Sequence, residues 1–297
     1  MSSVFLSTLE ALRPKQWTKN VAVLAPVLFA LGDPSQGVGL PAIARAFAGV
    51  LVFCVAASGV YVVNDLRDAQ LDRLHPAKRN RPFASGALSR RFGIRLAVLL
   101  IAMSLALAPL LGAPFFATIA GYLALQAAYS FGLKELALVD VMVISIGFVL
   151  RALAGGFAAG VAISPWLLLC ALLLALFLAL CKRRHELVAL GEREGATRPS
   201  LRSYDRQLLD VLIPMIASAT LLAYCLYTFW PDTVEKFGSH KLGWTIPFVI
   251  YGLFRYLDLV YRRELGDRPE HILLTDPPLL LNLALYGALI LGLLVWT

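Results

Sequence analysis

The sequence predicts an all-α polytopic membrane protein with about nine transmembrane helices, organised as a single domain over residues 1–297. Hydrophobic residues make up 59% of the chain and charged residues 15%, against roughly 45–50% and about 25% in soluble domains. The charge is confined to short stretches between apolar runs that are long enough to cross a hydrocarbon core of about 30 Å. These two observations exclude a soluble domain of any size.

The apolar runs define the spans in chain order. The first is short and contains Pro26, while the third and fourth are separated only by residues 112–114, Gly-Ala-Pro, which is typical of a tight helical hairpin. The spans are predicted at 19–32, 43–63, 93–112, 114–132, 138–160, 165–182, 209–230, 243–260 and 278–296. Their ends are defined only to within a few residues, and counts of eight or ten are the alternatives.

Basic residues divide unevenly between the two sides of this topology. If the N-terminus is cytoplasmic, all but four of the 27 Lys and Arg residues lie on the cytoplasmic side; the exceptions are Arg45, Lys236 and Lys241 outside and Arg151 within a span. Cytoplasmic loops of membrane proteins carry this excess. The pattern predicts a multi-pass protein of the bacterial inner (cytoplasmic) membrane, N-in and C-out. It also explains the net charge of +8 without nucleic acid as a partner.

Cysteines and the N-terminal run add little chemistry of their own. The cysteines show neither paired spacing nor a nearby histidine cluster, so we expect free thiols packed in the membrane. These are Cys54, Cys170, Cys181 and Cys225. The first apolar run follows a basic stretch and shows no small-residue cleavage pattern, so we expect a retained span rather than a signal peptide.

The second span continues directly into an acidic segment. On a helix of 3.6 residues per turn, Tyr61, Asp65, Asp68 and Asp72 fall within roughly a 60° sector, with Asn64 beside them. Like charges at these spacings repel, so their grouping at a membrane boundary indicates a cation between them. Oxygen ligands suit Mg²⁺, which is usually held by one or two carboxylates plus substrate phosphates. A solvated helix end, balanced by arginines of the same helix, is the structural alternative.

A basic loop follows the acidic segment. Lys78, Arg79 and Arg81 lie between two prolines and a glycine. Lys and Arg bind phosphate oxygens through charge-assisted hydrogen bonds, although a cytoplasmic loop would carry cations in any case. A magnesium site beside such a loop predicts the binding of a diphosphate.

The segment Asn-Asp-x-x-Asp-x-x-x-Asp at 64–72, followed by Lys-x-x-Arg-Pro, resembles the first aspartate-rich motif of the UbiA superfamily of intramembrane prenyltransferases. The span count and cytoplasmic loops extend the resemblance over the whole chain. It implies a UbiA-like helical bundle with cytoplasmic catalytic loops and Mg²⁺ as cofactor. The catalytic residues that it implies are Asp65, Asp68 and Asp72, which would hold the metal together with Asn64.

The loop after the sixth span departs from that family's usual pattern. Most members carry a second aspartate-rich motif there, whereas this chain has Lys182, Arg183, Arg184, His185 and Glu186, followed by the stretch 198–204. We therefore expect the second ligand to be an anion without its own metal. Together with the stretch 13–20, Asp140 and the stretch 147–156, this substitution resembles one branch of the family, in which a 5-phosphoribosyl group is transferred to a lipid phosphate.

The branch resemblance also implies the substrates. Phosphoribosyl pyrophosphate (PRPP) would enter from the cytoplasm and a polyprenyl phosphate of the decaprenyl type from the bilayer, and pyrophosphate would leave. The product, polyprenylphosphoryl-5-phosphoribose, would supply cell-envelope arabinan-type precursors. An aromatic prenyltransferase of quinone or haem biosynthesis is the alternative within the fold, and a transporter is the alternative outside it. The oligomeric state is left open.

Several further polar residues are candidates for substrate binding. Arg151 lies within a span, where a charge is a functional-site hypothesis by default, and an internal pair with Asp140 is its structural alternative. Membrane anchoring is the alternative for Lys19 and Asn20. His185 has no visible partner to make it a general base, and a phosphate monoester with a second pKa of about 6 needs none at neutral pH. The predicted substrate-binding residues are Lys19, Asn20, Tyr61, Lys78, Arg79, Arg81, Asp140, Arg151, Lys182, Arg183, His185, Glu186 and Tyr204.

Overall fold

The computed structural model describes residues 2–74, 78–190, 203–236, 239–263, 272 and 275–295. In these ranges the regular structure is helical. The α-helices are α1 Ser2–Leu12, α2 Ala25–Ala30, α3 Leu40–Leu74, α4 Arg90–Leu107, α5 Ala113–Phe131, α6 Val139–Ala159, α7 Pro165–Leu190, α8 Arg206–Phe229, α9 Pro231–Lys236, α10 Ile246–Arg262 and α11 Pro277–Val295. Shorter 3₁₀ helices are Pro34–Gln36, Ala108–Leu111, Leu133–Glu135 and His240–Thr245, and a long one is Pro14–Leu24.

Five helical segments of the described chain are long and apolar enough to cross a membrane. They are Leu40–Leu74, Arg90–Leu111, Val139–Ala159, Pro165–Val188 and Arg206–Phe229. Each predicted span overlaps helical structure, which confirms an all-α protein with several apolar helices, while the number nine stays a prediction. Two helices extend well past their predicted spans: α3 continues to Leu74 and α7 to Leu190. Both motifs noted in the sequence therefore begin on helix ends and not in loops.

The first predicted span is a composite of two helix types. Pro14–Leu24 is 3₁₀ and Ala25–Ala30 is α-helical. Side chains three residues apart are aligned in a 3₁₀ helix, so Trp17, Asn20 and Val23 follow one line. This line faces the bundle, because the Trp17 indole donates to Ser58 and Asn20 is fully buried.

Helix α6 lies at the centre of the bundle and packs against α3, α5, α7 and the Pro14–Leu24 helix. Its backbone approaches that helix closely, because a Cβ added at Gly155 would lie 1.8 Å from the Val23 carbonyl oxygen. Apolar cores lie on both sides of α6. One contains Val23, Phe53, Phe115, Ile119 and Ala154, and the other contains Val141, Phe177, Leu209, Ile213 and Leu259.

The outer surface of the bundle is rich in exposed apolar side chains, which is typical of a surface that faces lipid. Examples are Leu51, Val98, Leu99, Leu222, Phe254 and Leu291. All four cysteines are free thiols, as predicted.

Candidate active site

Two carboxylates at the end of α3 share one guanidinium group. Arg81 Nη1 donates to Asp65 Oδ1 at 3.2 Å and to Asp72 Oδ2 at 2.8 Å. Arg13 also donates to Asp65 Oδ1. Asp65 and Asp72 are buried, with 3% and 4% of their surface exposed, and buried charge is stable only when it is paired and hydrogen-bonded. The 60° sector predicted from the sequence therefore does bring these two carboxylates to a common cation.

The other two predicted metal ligands, Asn64 and Asp68, contact residues at the end of α5 and just after it. Lys134 Nζ donates to Asp68 Oδ1 at 2.7 Å, and Ser130 Oγ donates to Asn64 Oδ1. The four residues thus lie on one helix end but are divided between two sets of partners. In agreement, the described residues contain no group of three or more His, Cys, Asp or Glu side chains arranged to hold a metal.

The arginines of α3 itself do not balance its carboxylates. Arg67 lies over the Phe131 ring at 5.0 Å and near Glu135, and Arg73 Nε donates to the Ala84 carbonyl at 2.9 Å. The structural alternative, a helix end balanced by its own arginines, is therefore wrong. The balancing cations come from elsewhere in the chain.

The carboxylates of Asp65 and Asp72 are donors of the type that Mg²⁺ prefers. Their donor atoms are oxygens, and the point between Asp65 and Asp72 is already occupied by a cationic N–H group of Arg81. Two carboxylates are the usual protein contribution to a magnesium site, the remaining ligands being water and substrate phosphate.

The loop that carries Arg81 is folded onto α3 and α4. The backbone N–H of Ser85 donates to the Arg81 carbonyl at 2.9 Å, and Gly86 has a φ of +84°. Phe83 is buried and lies so close to Gly93 that a Cβ there would be 2.6 Å from its ring. Lys78 is partly buried and Arg79 is exposed beside this turn. Residues 75–77 of the motif lie outside the described residues.

Arg13 begins the stretch 13–20 that carries part of the branch resemblance, but the sequence analysis did not predict it as a site residue. It links α1 to the Pro14–Leu24 helix in a left-handed conformation, with a φ of +54°. Its guanidinium lies 5.2 Å from the Tyr61 ring centroid in addition to its ion pair with Asp65. The Arg-Pro pair was visible in the sequence, but 52 residues separate Arg13 from Asp65, and no local pattern connects them.

A second polar cluster joins α6, α7 and the segment before α8. Tyr204 OH donates to Asp140 Oδ1 at 2.6 Å, and Arg183 Nε lies 3.5 Å from Asp140 Oδ2. Arg183 Nη1 also donates to Glu186 at 2.5 Å. Burial, followed by its bond to Asp140, raises the pKa of the Tyr204 hydroxyl, so this group stays protonated and donates a hydrogen bond to Asp140. Four predicted substrate-binding residues are thus brought together.

The basic motif is used largely to hold helices together. Arg183 is 1% exposed, and Arg184 donates to Asp210 at 2.6 Å while lying 4.0 Å from the Tyr261 ring centroid. Lys182 and His185 are partly buried on the same helix end. Of the stretch 198–204, residues 198–202 lie outside the described part of the chain.

Arg151 lies deep in the bundle with neutral partners. It donates to Asn20 Oδ1 and the Gly147 carbonyl, each at 2.8 Å, and to Tyr122 OH at 3.1 Å. Its guanidinium is also 5.4 Å from the Phe148 ring centroid. The predicted alternative, an internal pair with Asp140, is wrong because Asp140 instead contacts Tyr204 and Arg183.

Asn20 is fixed by the same contacts. It is 0% exposed and donates to Cys54 Sγ at 3.3 Å, so the membrane-anchoring alternative is wrong for Asn20, whereas Lys19 is partly exposed.

Tyr122 was also missed by the sequence analysis. A signal was present in the sequence, since Tyr122, Gln126 and Ser130 recur every four residues and define one polar face of α5. This face contacts Arg151 at one end and Asn64 at the other.

Comparison with protein families gives a match to the UbiA prenyltransferase family over residues 23–274. Among curated proteins, the chain is 38% identical over 276 residues to a decaprenyl-phosphate phosphoribosyltransferase from Mycolicibacterium smegmatis, covering 90% of this chain and 86% of that protein. A protein of the same name from Corynebacterium glutamicum is 40% identical over 277 residues, covering 90% and 80%.

A solved structure of similar fold is that of a UbiA homologue from Archaeoglobus fulgidus bound to GPP and Mg²⁺. It superimposes with a TM-score of 0.72 at 20% sequence identity and covers 97% of this chain and 99% of the other. At this identity the likeness concerns the fold.

Proposed function

The chain belongs to the UbiA prenyltransferase family, and on that premise we propose that it transfers the 5-phosphoribosyl group of PRPP to a polyprenyl phosphate of the decaprenyl type, releasing pyrophosphate. The observation that carries the proposal is the contrast between the two polar clusters. Carboxylates at the end of α3 suit a metal-bound diphosphate, whereas the end of α7 carries Lys182 with the buried, paired Arg183 and Arg184 behind it in place of a second aspartate-rich motif. The relatives named for this reaction, at 38% and 40% identity over 90% of the chain, support it.

In the proposed reaction an oxygen of the lipid phosphate attacks C1 of the ribose as the bond from C1 to pyrophosphate breaks. Substitution at an anomeric carbon passes through an oxocarbenium-like state, so the main catalytic contribution is stabilisation of the charge on the leaving group. Bound Mg²⁺ would supply part of that charge neutralisation. Lipid phosphate is already ionised at neutral pH, so no general base is required of His185.

The residues divide between the two substrates as follows. Asp65 and Asp72, with Asn64 and Asp68, would hold Mg²⁺, and the cations of the following loop would bind the pyrophosphate oxygens. Those cations are Lys78, Arg79 and Arg81. Lys182, with Lys19, would bind the phosphate of the lipid or the 5-phosphate of the ribose. Asp140, Glu186 and Tyr204 would orient Arg183 beside them.

The side of the site nearer the bundle interior would receive the lipid. Tyr61 lies one turn before Asp65 on α3, and Arg151 bonds to Tyr122, two turns before Ser130 on α5. Both positions lie on the parts of α3 and α5 that run from the acidic cluster into the membrane. We assign Tyr61 to contact with the polyprenyl phosphate, whereas Asn20 and Arg151, which are buried and hydrogen-bonded to each other, would position the helices beside it. The enzyme would then work at the cytoplasmic face of the inner membrane, where PRPP is supplied, and its product would feed cell-envelope synthesis.

The reaction can be tested with purified protein in detergent, Mg²⁺, PRPP and decaprenyl phosphate. We expect release of pyrophosphate together with a phosphoribosylated lipid detected by mass spectrometry, and neither product when Mg²⁺ is removed with a chelator. Parallel incubations should contain a prenyl diphosphate and an aromatic acceptor. If those were consumed and PRPP ignored, the phosphoribosyl assignment would be wrong and family membership alone would stand.

A further inference from the structure

Arg13 has an unusual backbone conformation, with a φ of +54°. Residues other than glycine rarely adopt a positive φ, and such conformations persist where the surroundings fix them, often at ligand-binding positions. At Arg13 the side chain pairs with Asp65 and stacks on Tyr61, and 26% of it is exposed, whereas Asp65 is 3% exposed. The guanidinium thus lies between the buried carboxylate and the outside of the site.

The positive and negative charges around Asp65 are equal in number. Two buried carboxylates, Asp65 and Asp72, face two guanidinium groups, Arg13 and Arg81. A divalent cation that arrived alone would compete with both arginines for the same oxygens and leave a positive excess in a buried place, which is unfavourable. A metal that arrives with a diphosphate brings the negative charge that the displaced arginines need.

We propose that Arg13 is a diphosphate-binding residue that exchanges partners on substrate binding. Without substrate it neutralises Asp65; when metal and diphosphate bind, Asp65 becomes a metal ligand and the Arg13 guanidinium donates to diphosphate oxygens. Its planar fork suits such oxygens, which it can bind with two parallel hydrogen bonds. This inference rests on the proposed function, which supplies the metal-diphosphate site. It adds Arg13 to the residues of that site.

The test measures metal binding directly. The full chain in detergent is titrated with Mn²⁺, a paramagnetic substitute for Mg²⁺, with and without inorganic pyrophosphate, and free Mn²⁺ is read by electron paramagnetic resonance. Arg13→Gln should bind Mn²⁺ alone about tenfold more tightly than wild type, because a competing charge-assisted bond is gone. In the same variant, the enhancement of Mn²⁺ affinity by pyrophosphate should fall at least about tenfold, because the Arg13 bonds to pyrophosphate are lost as well. The control is Arg90→Gln, an exposed arginine at the start of α4, which should change neither constant by more than about twofold.

A second variant guards against misfolding of the first. Arg13→Lys keeps the charge but loses the fork, so Mn²⁺ alone should bind as in wild type while the pyrophosphate-dependent affinity falls. Loss of both affinities in the two variants, or no change in either, would reduce Arg13 to a structural residue and overturn the inference. If wild type itself failed to bind Mn²⁺ with pyrophosphate, the proposed site would fall and this inference with it. Normal wild-type binding with unaltered Arg13 variants would refute the exchange alone.

Discussion

Asp65 accepts hydrogen bonds from two arginines while almost fully buried, so direct contacts with cations hold its carboxyl group in place. Asp65→Asn removes that charge without changing side-chain size, and Asp68→Asn does the same beside Lys134. We expect each change to lower turnover at least 100-fold, since metal and leaving-group charge stabilisation is worth that much in comparable sites. Turnover should be measured over a range of Mg²⁺ concentrations, with folding checked by size-exclusion chromatography in detergent.

The matched control for these aspartates is Asp205→Asn, an exposed aspartate before α8 whose side chain caps no backbone group. It should leave turnover unchanged. Near-normal activity of both Asp65→Asn and Asp68→Asn at limiting Mg²⁺ would be incompatible with the assigned metal site.

At the basic end of α7, the structure indicates different roles for Lys182 and Arg183: substrate binding for the first and helix packing for the second. Lys182→Ala should weaken productive use of PRPP or lipid phosphate by roughly ten- to a hundredfold, because a hydrogen bond to a charged group is worth about 1.5–3 kcal/mol. Arg183→Ala should instead lower thermal stability, because it leaves the buried Asp140 with less positive charge. The KM values and the midpoint of thermal unfolding distinguish the two. A Lys182→Ala protein with unchanged KM for both substrates would remove Lys182 from the site.

Residue types and helical spacing were sufficient to predict which carboxylates share a face, because Asp65 and Asp72 lie on one helix. They were not sufficient to predict what faces them. Arg13 approaches Asp65 through a left-handed turn, and Arg183 pairs with Asp140 through packing of α6 against α7. Tertiary packing decides such contacts, and it also determined that Arg151 and Asp140 do not meet.

At the scale of elements, the short first span shows a limit of reasoning from α-helical periodicity. Trp17, Asn20 and Val23 recur every three residues, which is the period of a 3₁₀ helix, but such helices rarely exceed three or four residues. Pro14–Leu24 continues for 11 residues. With α2 it reaches about 30 Å, since a 3₁₀ helix rises about 2.0 Å per residue and an α-helix 1.5 Å. A stretch that looks too short for a span can therefore cross the hydrocarbon core.

The contact between this 3₁₀ helix and α6 can be tested through Gly155. A methyl group there would lie 1.8 Å from the Val23 carbonyl oxygen, so Gly155→Ala must force the two backbones apart. Overpacking typically costs about 1–3 kcal/mol, and we expect the upper end because the neighbour is backbone. Thermal unfolding in detergent should show a lowered midpoint.

Gly121→Ala is the control for this change, since it lies on α5 with open space around the added methyl group. It should be neutral or slightly stabilising through helix propensity. Equal unfolding midpoints for the two alanine variants would contradict the close approach of α6 to Val23.

At the scale of the whole molecule, the distribution of basic residues predicts an orientation. A reporter fused after Thr297, which lies outside the described residues, should be accessible from the outer side of the membrane in intact cells, and one fused before Met1 should not. Protease protection or a membrane-impermeant label gives the readout. A C-terminal reporter confined to the cytoplasm would contradict both the odd number of spans and the loop-charge argument.

Arg151 has a consequence for how the protein enters the membrane during synthesis. A central arginine disfavours insertion of a helix by about 2.5–3.5 kcal/mol. Its three hydrogen-bond acceptors, Asn20, Tyr122 and the Gly147 carbonyl, all precede it in the chain, so they have left the ribosome before Arg151 needs them. Chain order thus supplies the partners in time for co-translational insertion. A circular permutant that moved the Pro14–Leu24 helix to the end of the chain would have to insert α6 before Asn20 existed.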